Sequence, residues 1–218
     1  AVTGPLHSDL TDSNSEKLTP MVGENGELIY VNGEPVFLDK QGNLVDKNNN
    51  PIRDEDGNPL SLNEYGQVVN SIGEVQPKSL FRKSNGDIAD GAFSTGKSIT
   101  ETQLNAKMAA EKIPESLRRA LNLDEDGYNE NNCSLEGLNR NGELCSIKDS
   151  PRIFDKETSL DQFGYQEDNF NIYGCLESGL DRNGNACREE YVTKRYNAFG
   201  YDQDSKNRAG FNSAGIND

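Results

Sequence analysis

Gly127-Tyr-Asn-Glu-Asn, Asn132-Cys-Ser-Leu-Glu, Gly137-Leu-Asn-Arg-Asn, Gly142-Glu-Leu-Cys145 returns 42 residues later as Asn169-Phe-Asn-Ile-Tyr, Gly174-Cys-Leu-Glu-Ser, Gly179-Leu-Asp-Arg-Asn, Gly184-Asn-Ala-Cys187. Eight of the nineteen aligned positions are identical, both cysteines among them. A third tract keeps the period of five without cysteine: Gly200-Tyr-Asp-Gln-Asp, Ser205-Lys-Asn-Arg-Ala, Gly210-Phe-Asn-Ser-Ala, Gly215-Ile-Asn-Asp218. A period of five fits neither a helix nor a strand. It asks for a chain of turns. Gly supplies the turn, the following Tyr, Leu or Phe can point inward, and the Asn or Asp after it can bond nearby amides as an Asx turn. Units of this kind hold together through their neighbours along one dimension.

Outward from these tracts, residues 21–76 are quasi-repetitive in a looser way. Glu24-Asn-Gly-Glu-Leu-Ile-Tyr-Val, Asn32-Gly-Glu-Pro-Val-Phe-Leu, Asp39-Lys-Gln-Gly-Asn-Leu-Val, Asp46-Lys-Asn-Asn-Asn-Pro-Ile and Asp54-Glu-Asp-Gly-Asn-Pro-Leu each set a turn before two to four apolar residues. Asn-Gly and Asp-Gly tolerate positive φ and suit tight hairpins. Pro35, Pro51 and Pro59 cannot donate to a ladder, which confines these short strands to edges or isolated extended segments. The expected product is a β-meander, or a chain lying extended along a partner.

Residues 97–123 are the one helical zone. Ser98 with Glu101, or Thr100 with Gln103, can form a capping box. Leu104, Met108, Ile113, Leu117 and Leu121 recur close to one helical face. Pro114 breaks this helix or starts a second one. Leu104, Met108, Ile113 and Leu117 are candidate docking anchors, and packing on the chain's own core explains the same pattern equally well. Four regions follow: a polar arm at 1–20, turn and short-strand repeats at 21–96, a helical segment at 97–123, and a duplicated region at 124–218. The fold class is mostly irregular and β, with an extended turn-rich half, one short helical segment and a cysteine-stapled repeat half. The tracts at 127–145, 164–187 and 200–218 resemble the Gly-aromatic-Asn/Asp pentapeptide arrays of some surface and cell-envelope proteins. They depart from the pattern that builds square β-helices.

Four cysteines allow three pairings. The duplication points to Cys133–Cys145 and Cys175–Cys187, because a module copied as a unit most simply keeps its own bridge. Bridges between copies or between subunits remain the competing arrangement. A tetrathiolate zinc site is disfavoured, since no two cysteines stand two to four residues apart. An even cysteine count suits an extracellular, periplasmic or cell-surface setting.

Composition excludes several functions. Leu, Ile, Val and Phe supply 46 of 218 residues, near the ~20% line below which charged chains are expected to be disordered. The net charge is −15 and the pI about 4.5. Nucleic acid and anionic membranes need basic patches, so neither is an expected partner. No apolar run approaches the ~20 residues of a membrane span. His7 is the only histidine and sits in a polar stretch, which removes Ser-His-Asp and Cys-His catalysis. No phosphate-binding glycine motif is present. The chain starts at Ala1 without a signal-peptide pattern, as a mature chain or a fragment would.

Calcium is the remaining small ligand to weigh. Asp54 and Asp56, Asp124 and Asp126, and Asp181 crowd oxygen donors around glycine turns. The spacing misses one alternate donor of an EF-hand loop and its closing Glu. Asp and Asn beside Gly more often make simple turns. A carboxylate pair for glycoside hydrolysis would need a rigid aromatic cleft, and the chain has no Trp. The expectation is a non-enzymatic scaffold within an extracellular or envelope assembly, with protein subunits as partners and no cofactor. The alternatives are a calcium-stabilised adhesion module and a virion structural protein.

Overall fold

The computed structural model describes residues 16–216. The rest of the polar arm, residues 1–15, lies outside the described residues, as do 217 and 218. The chain divides into two compact units, described here as 16–114 and 115–216. The division falls at Pro114, the residue expected to break the helical zone or to start a second helix.

The first unit holds ten strands of two or three residues: β1 (Lys17–Leu18), β2 (Met21–Val22), β3 (Tyr30–Val31), β4 (Glu34–Pro35), β5 (Phe37–Leu38), β6 (Leu44–Val45), β7 (Leu60–Leu62), β8 (Val68–Asn70), β9 (Ser94–Thr95) and β10 (Ile99–Thr100). They pair as five separate two-stranded antiparallel ladders rather than one meander. Three are local hairpins, β3–β4, β5–β6 and β7–β8. The β3–β4 hairpin turns at Asn32-Gly33, both at positive φ (53° and 82°), as a two-residue hairpin of matching twist demands. The other two ladders close the unit: β1 pairs with β10 and β2 with β9. The end of the polar arm, Lys17 and Leu18, is therefore part of the fold.

Turns carry a common set of bonds. In Asp39–Asn43, the Asp39 Oδ1 accepts from the amides of Gln41 and Asn43, both at 2.9 Å. The Gly42 amide donates to the Asp39 carbonyl, and the Asp39 amide to the Asn43 carbonyl. The same four bonds recur at 46–50, 54–58, 63–67 and 70–74. The fourth residue of each stands at positive φ. It is Gly everywhere except Asn49, the residue type that best tolerates that region after Gly.

The strand runs are buried on both faces, which is why they read as continuous apolar runs rather than alternations. Ile29, Val31, Val36, Leu38 and Leu44 enter one core with Met21, Leu60, Val68, Phe81 and Phe93. Their alternates Leu28, Tyr30, Phe37 and Val45 enter a second core with Ile99 and Leu104. The unit thus closes on its own core instead of lying extended along a partner. Seven of the nine valines fall in 16–114 and one in 115–216, so whole-chain composition understates this half.

Helix α1 (Glu101–Lys112) covers the second core. Thr100 and Gln103 form its capping box: the Thr100 hydroxyl accepts from the Gln103 amide, and the Gln103 side chain accepts from the Thr100 amide. Glu111 ties the helix to the strands by accepting from the Leu28 amide at 3.0 Å. Ile113 and Pro114 end α1, and α2 (Glu115–Ala120) starts the second unit. Pro114 thus ends one helix and precedes a second, one of the two outcomes its position allowed.

In the second unit the two backbone bonds of the four-bond turn repeat in tandem, at 124, 129, 134 and 139, again at 161, 166, 171, 176 and 181, and again at 197, 202, 207 and 212. The two side-chain bonds join them at the Asp and Asn positions; Ser134 makes one of the two, and Gln166 and Leu176 make neither. Each run opens on Gly-Tyr, and the tyrosines Tyr128, Tyr165 and Tyr201 are buried. The second run has one more turn than the first. The 42-residue duplication therefore matches the first turn of one run to the second turn of the next. After each of the first two runs comes a short 3-10 turn, Ile147–Asp149 and Glu189–Tyr191, also 42 residues apart. The residue after the turn glycine points inward at Tyr128, Tyr165 and Tyr201 but outward at Leu180 and Ile216.

Candidate functional site

The two disulfides are Cys133–Cys145 and Cys175–Cys187, with Cα–Cα distances of 6.2 and 6.4 Å. No other cysteine exists to compete. Each bridge spans two turns of its run. Beside it the amide of the second cysteine donates to the carbonyl of the copied glycine: Cys145 to Gly137 at 2.8 Å and Cys187 to Gly179 at 2.7 Å.

The calcium candidates are turn acceptors. Asp54 Oδ1 accepts from the amides of Asp56 and Asn58, and its Oδ2 from the side chains of Asn58 and Asn70. Asp124 Oδ1 accepts from Asp126 and Tyr128, and its Oδ2 pairs with Arg140 at 2.5 Å. Asp181 Oδ1 accepts from Asn183 and Asn185. Asp56 and Asp126 stand inside these turns and contribute the amides that the first Asp accepts. Among the described residues no group of three or more His, Cys, Asp or Glu is placed to hold a metal ion.

At Asp39, Asp46 and Asp54 such bonds leave a titration signature. Asp46 is held below the ordinary aspartate value by the amide of Asn50, then those of Asn48 and the Asn50 side chain. At Asp54 slight burial pushes upward, and the hydrogen bonds from Asn58, Asn70 and Asp56 outweigh it. A carboxyl whose folded pKa is depressed contributes stability above its unfolded pKa and loses it as the pH falls through the folded one. Glu111, whose side chain is 9% exposed, and Glu136 run the other way, raised by desolvation, and are easier to keep when protonated. Because the turn aspartates outnumber them, the melting temperature is expected to fall steadily from about pH 5 to pH 2. A melting temperature flat across that window would contradict the turn-acceptor role.

Of the docking candidates, Leu104 is buried in the second core and Met108 packs against it. This is the own-chain packing that the helical spacing allowed. Ile113 and Leu117 are half-buried.

Sequence reading missed the arginines. Arg195 lies between the first two runs. Its Nε and Nη2 fork onto Glu177 at 2.7 and 3.1 Å, its Nη2 donates to the Cys145 carbonyl at 2.6 Å, and its plane sits 4.9 Å from the Phe163 ring. Arg152 pairs with the fully buried Asp161 carboxylate at 2.7 Å, and donates to Asn169 and the Gln166 carbonyl. A third set repeats at a separation of twelve: Arg140 over Tyr128, Arg182 over Phe170 and Arg208 over Tyr196, all at 4.2–4.3 Å. Both apolar clusters belong to the first unit. The second unit is held by turn acceptors, arginine clamps and disulfides. For the third set the available signal was an Arg twelve residues after an aromatic in each tract, within the copied Gly-Leu-x-Arg-Asn-Gly run in the first two.

The surface left over is where contacts with other molecules can form. In the second unit Ile172, Tyr173 and Leu180 are 65%, 57% and 42% exposed. Tyr173 stacks on Tyr191 at 4.7 Å, with 15° between the ring planes. A shallow groove lined by Phe154, Asp155, Lys156, Ser159, Gln166, Glu167 and Asp168 lies in the same unit. In the first unit Tyr65 and Ile72 stand out on the 63–67 and 70–74 turns, and Val75 just after the second. No described helix is long and apolar enough to cross a membrane, and the two disulfides fit an extracellular setting. Comparison of the chain with protein-family models, with curated proteins and with solved structures returned no match.

Proposed function

We propose that this chain is a non-enzymatic scaffold of an extracellular or cell-envelope assembly, bound to other protein subunits through side chains presented on its turns. The observation that supports this most is the second unit. Its interior holds turn acceptors, arginine clamps, two disulfides and single buried side chains such as Tyr128, Tyr165 and Ile147, while Ile172 and Tyr173 stand outside. Scattered exposed apolar residues are ordinary on a monomer, but an exposed tyrosine stacked on a half-buried one, with an exposed isoleucine next to it in sequence, is the composition of an interface centre. A stapled backbone also loses little further entropy when it binds.

Fractionation of the native source with thiol labelling tests the reading. The expected result is recovery in a high-mass envelope or extracellular fraction, with no cysteine free to label. A free monomer in the reducing interior, with all four thiols labelled, would overturn it.

A further inference from the structure

The two cysteine-bearing copies share a backbone plan, and comparing them separates what the fold needs from what it does not. In the first copy, Asn129 and Asn131 donate from their side chains to the carbonyl of Asp149, at 2.9 and 3.2 Å, and so clasp the 3-10 turn. In the second copy Asn171 makes the same bond to the Tyr191 carbonyl at 2.6 Å. The positions around this clasp differ in one direction. Glu130, Asn131 and Asp149 of the first copy become Ile172, Tyr173 and Tyr191 in the second. The same clasp is therefore made with three polar residues in one copy and three apolar ones in the other. Folding does not call for the apolar set, yet Ile172 and Tyr173 remain more than half exposed.

We propose that Ile172, Tyr173 and Tyr191 form a docking face for a basic segment of a partner protein, an arginine side chain stacking on the tyrosine pair. This deepens the scaffold reading by naming one face and the chemistry of what covers it. Charge selects the occupant. Residues 115–216 carry 12 Lys and Arg against 19 Asp and Glu. Arg140, Arg152, Arg182 and Arg195 among those cations are already committed to carboxylates of the same unit. Glu189 and Glu190 adjoin Tyr191 in sequence and are exposed. Another molecule of this chain would bring a charge of −15 to a surface of the same sign, which disfavours self-association through this face. The unit also uses a guanidinium over an aromatic ring at six places, one of them Arg188 over Tyr191 at 5.9 Å. Guanidinium is thus the group these rings already accept, and a desolvated contact of this type is a favourable anchor.

The test uses the intact oxidised chain and two labelled nonapeptides, one alternating Arg with Leu and one alternating Glu with Leu, read by fluorescence anisotropy. The variant carries Ile172→Glu and Tyr173→Asn, the residues of the first copy, so that Asn at 173 can rebuild the polar clasp. A second variant, Glu130→Ile with Asn131→Tyr and Asp149→Tyr, moves the face to the first copy. The expected results are saturable binding of the Arg peptide alone, at least a tenfold loss in the first variant with its melting temperature unchanged, and a second binding site in the other variant. Equal binding of both peptides, undiminished binding by the first variant, or a fall in its melting temperature would overturn the inference. So would concentration-dependent self-association abolished by the first variant. If the Arg peptide fails to bind while the native chain is recovered in a high-mass envelope fraction, this face is wrong and the scaffold reading stands. Recovery as a free reduced monomer sinks the scaffold reading whatever the peptides do.

Discussion

Replacing Arg195 with Met is expected to cost the second unit about 3 kcal/mol, the lower end for breaking a buried ion pair by removing one partner. Arg195 and Glu177 keep 13% and 21% of their side-chain surface exposed, so solvent screens the pair only in part. The loss is compound. Glu177 is left without its fork, the Cys145 carbonyl loses its 2.6 Å donor, and the Phe163 ring loses its cation. Arg195→Lys keeps the charge but not the planar fork, and should recover only part of the loss. Removing Glu177 as well, as Met, should also recover part, because no unpaired carboxylate then remains. Urea unfolding followed by tyrosine fluorescence measures this directly, since six of the eight tyrosines lie in 115–216 and the chain has no Trp. A loss under about 1 kcal/mol, the range of exposed surface pairs, would show that Arg195 is not a clamp.

Opening either disulfide should have an effect of similar size. Each closes a loop with a sequence separation of 12. In the chain-entropy account, a loop of that length contributes about 3 kcal/mol by restricting the unfolded chain. Cys133→Ser with Cys145→Ser, and Cys175→Ser with Cys187→Ser, are each expected to lower the urea midpoint of the second unit. The four-serine variant should lose about the sum, since the bridges close separate loops. The first unit, which has an apolar core and no cysteine, is expected to keep its midpoint. Four-serine protein with an unchanged transition would place the stability of the second unit elsewhere.

The parts legible in the sequence were those written locally. Asn32-Gly33 announces a hairpin, Thr100 with Gln103 announces a helix start, and the copied cysteines point to their own partners. The first two depend on residues within a few positions of one another, and the third on a copy 42 residues away that is written out in full. The long-range parts left no such trace. Strands of two residues carry almost no pattern, so the pairing of Lys17–Leu18 with Ile99–Thr100 could not be foreseen. The apolar face of α1 was legible, but an amphipathic face asks for apolar cover without saying whose. Asp54, Asp124 and Asp181 looked equally suited to calcium and to turns, because both uses place carboxylate oxygens beside a glycine. The hydrogen bonds give one oxygen of each to backbone amides. The arginine clamps were hidden for a further reason. Arg195 reaches partners 18 to 58 residues away, and a single arginine in an acidic chain reads as a surface charge.

Hydrogen exchange of the intact chain, compared before and after reduction, tests the central claim that the second unit is held by its staples and turn acceptors rather than by an apolar core. Protection of the amides at 133, 145, 175 and 187 and of the turns around them is expected to collapse when the thiols are freed. Protection at Ile29, Val36 and Leu60, in the core of the first unit, is expected to persist. Retention of full protection across 124–187 in the reduced chain would contradict the account.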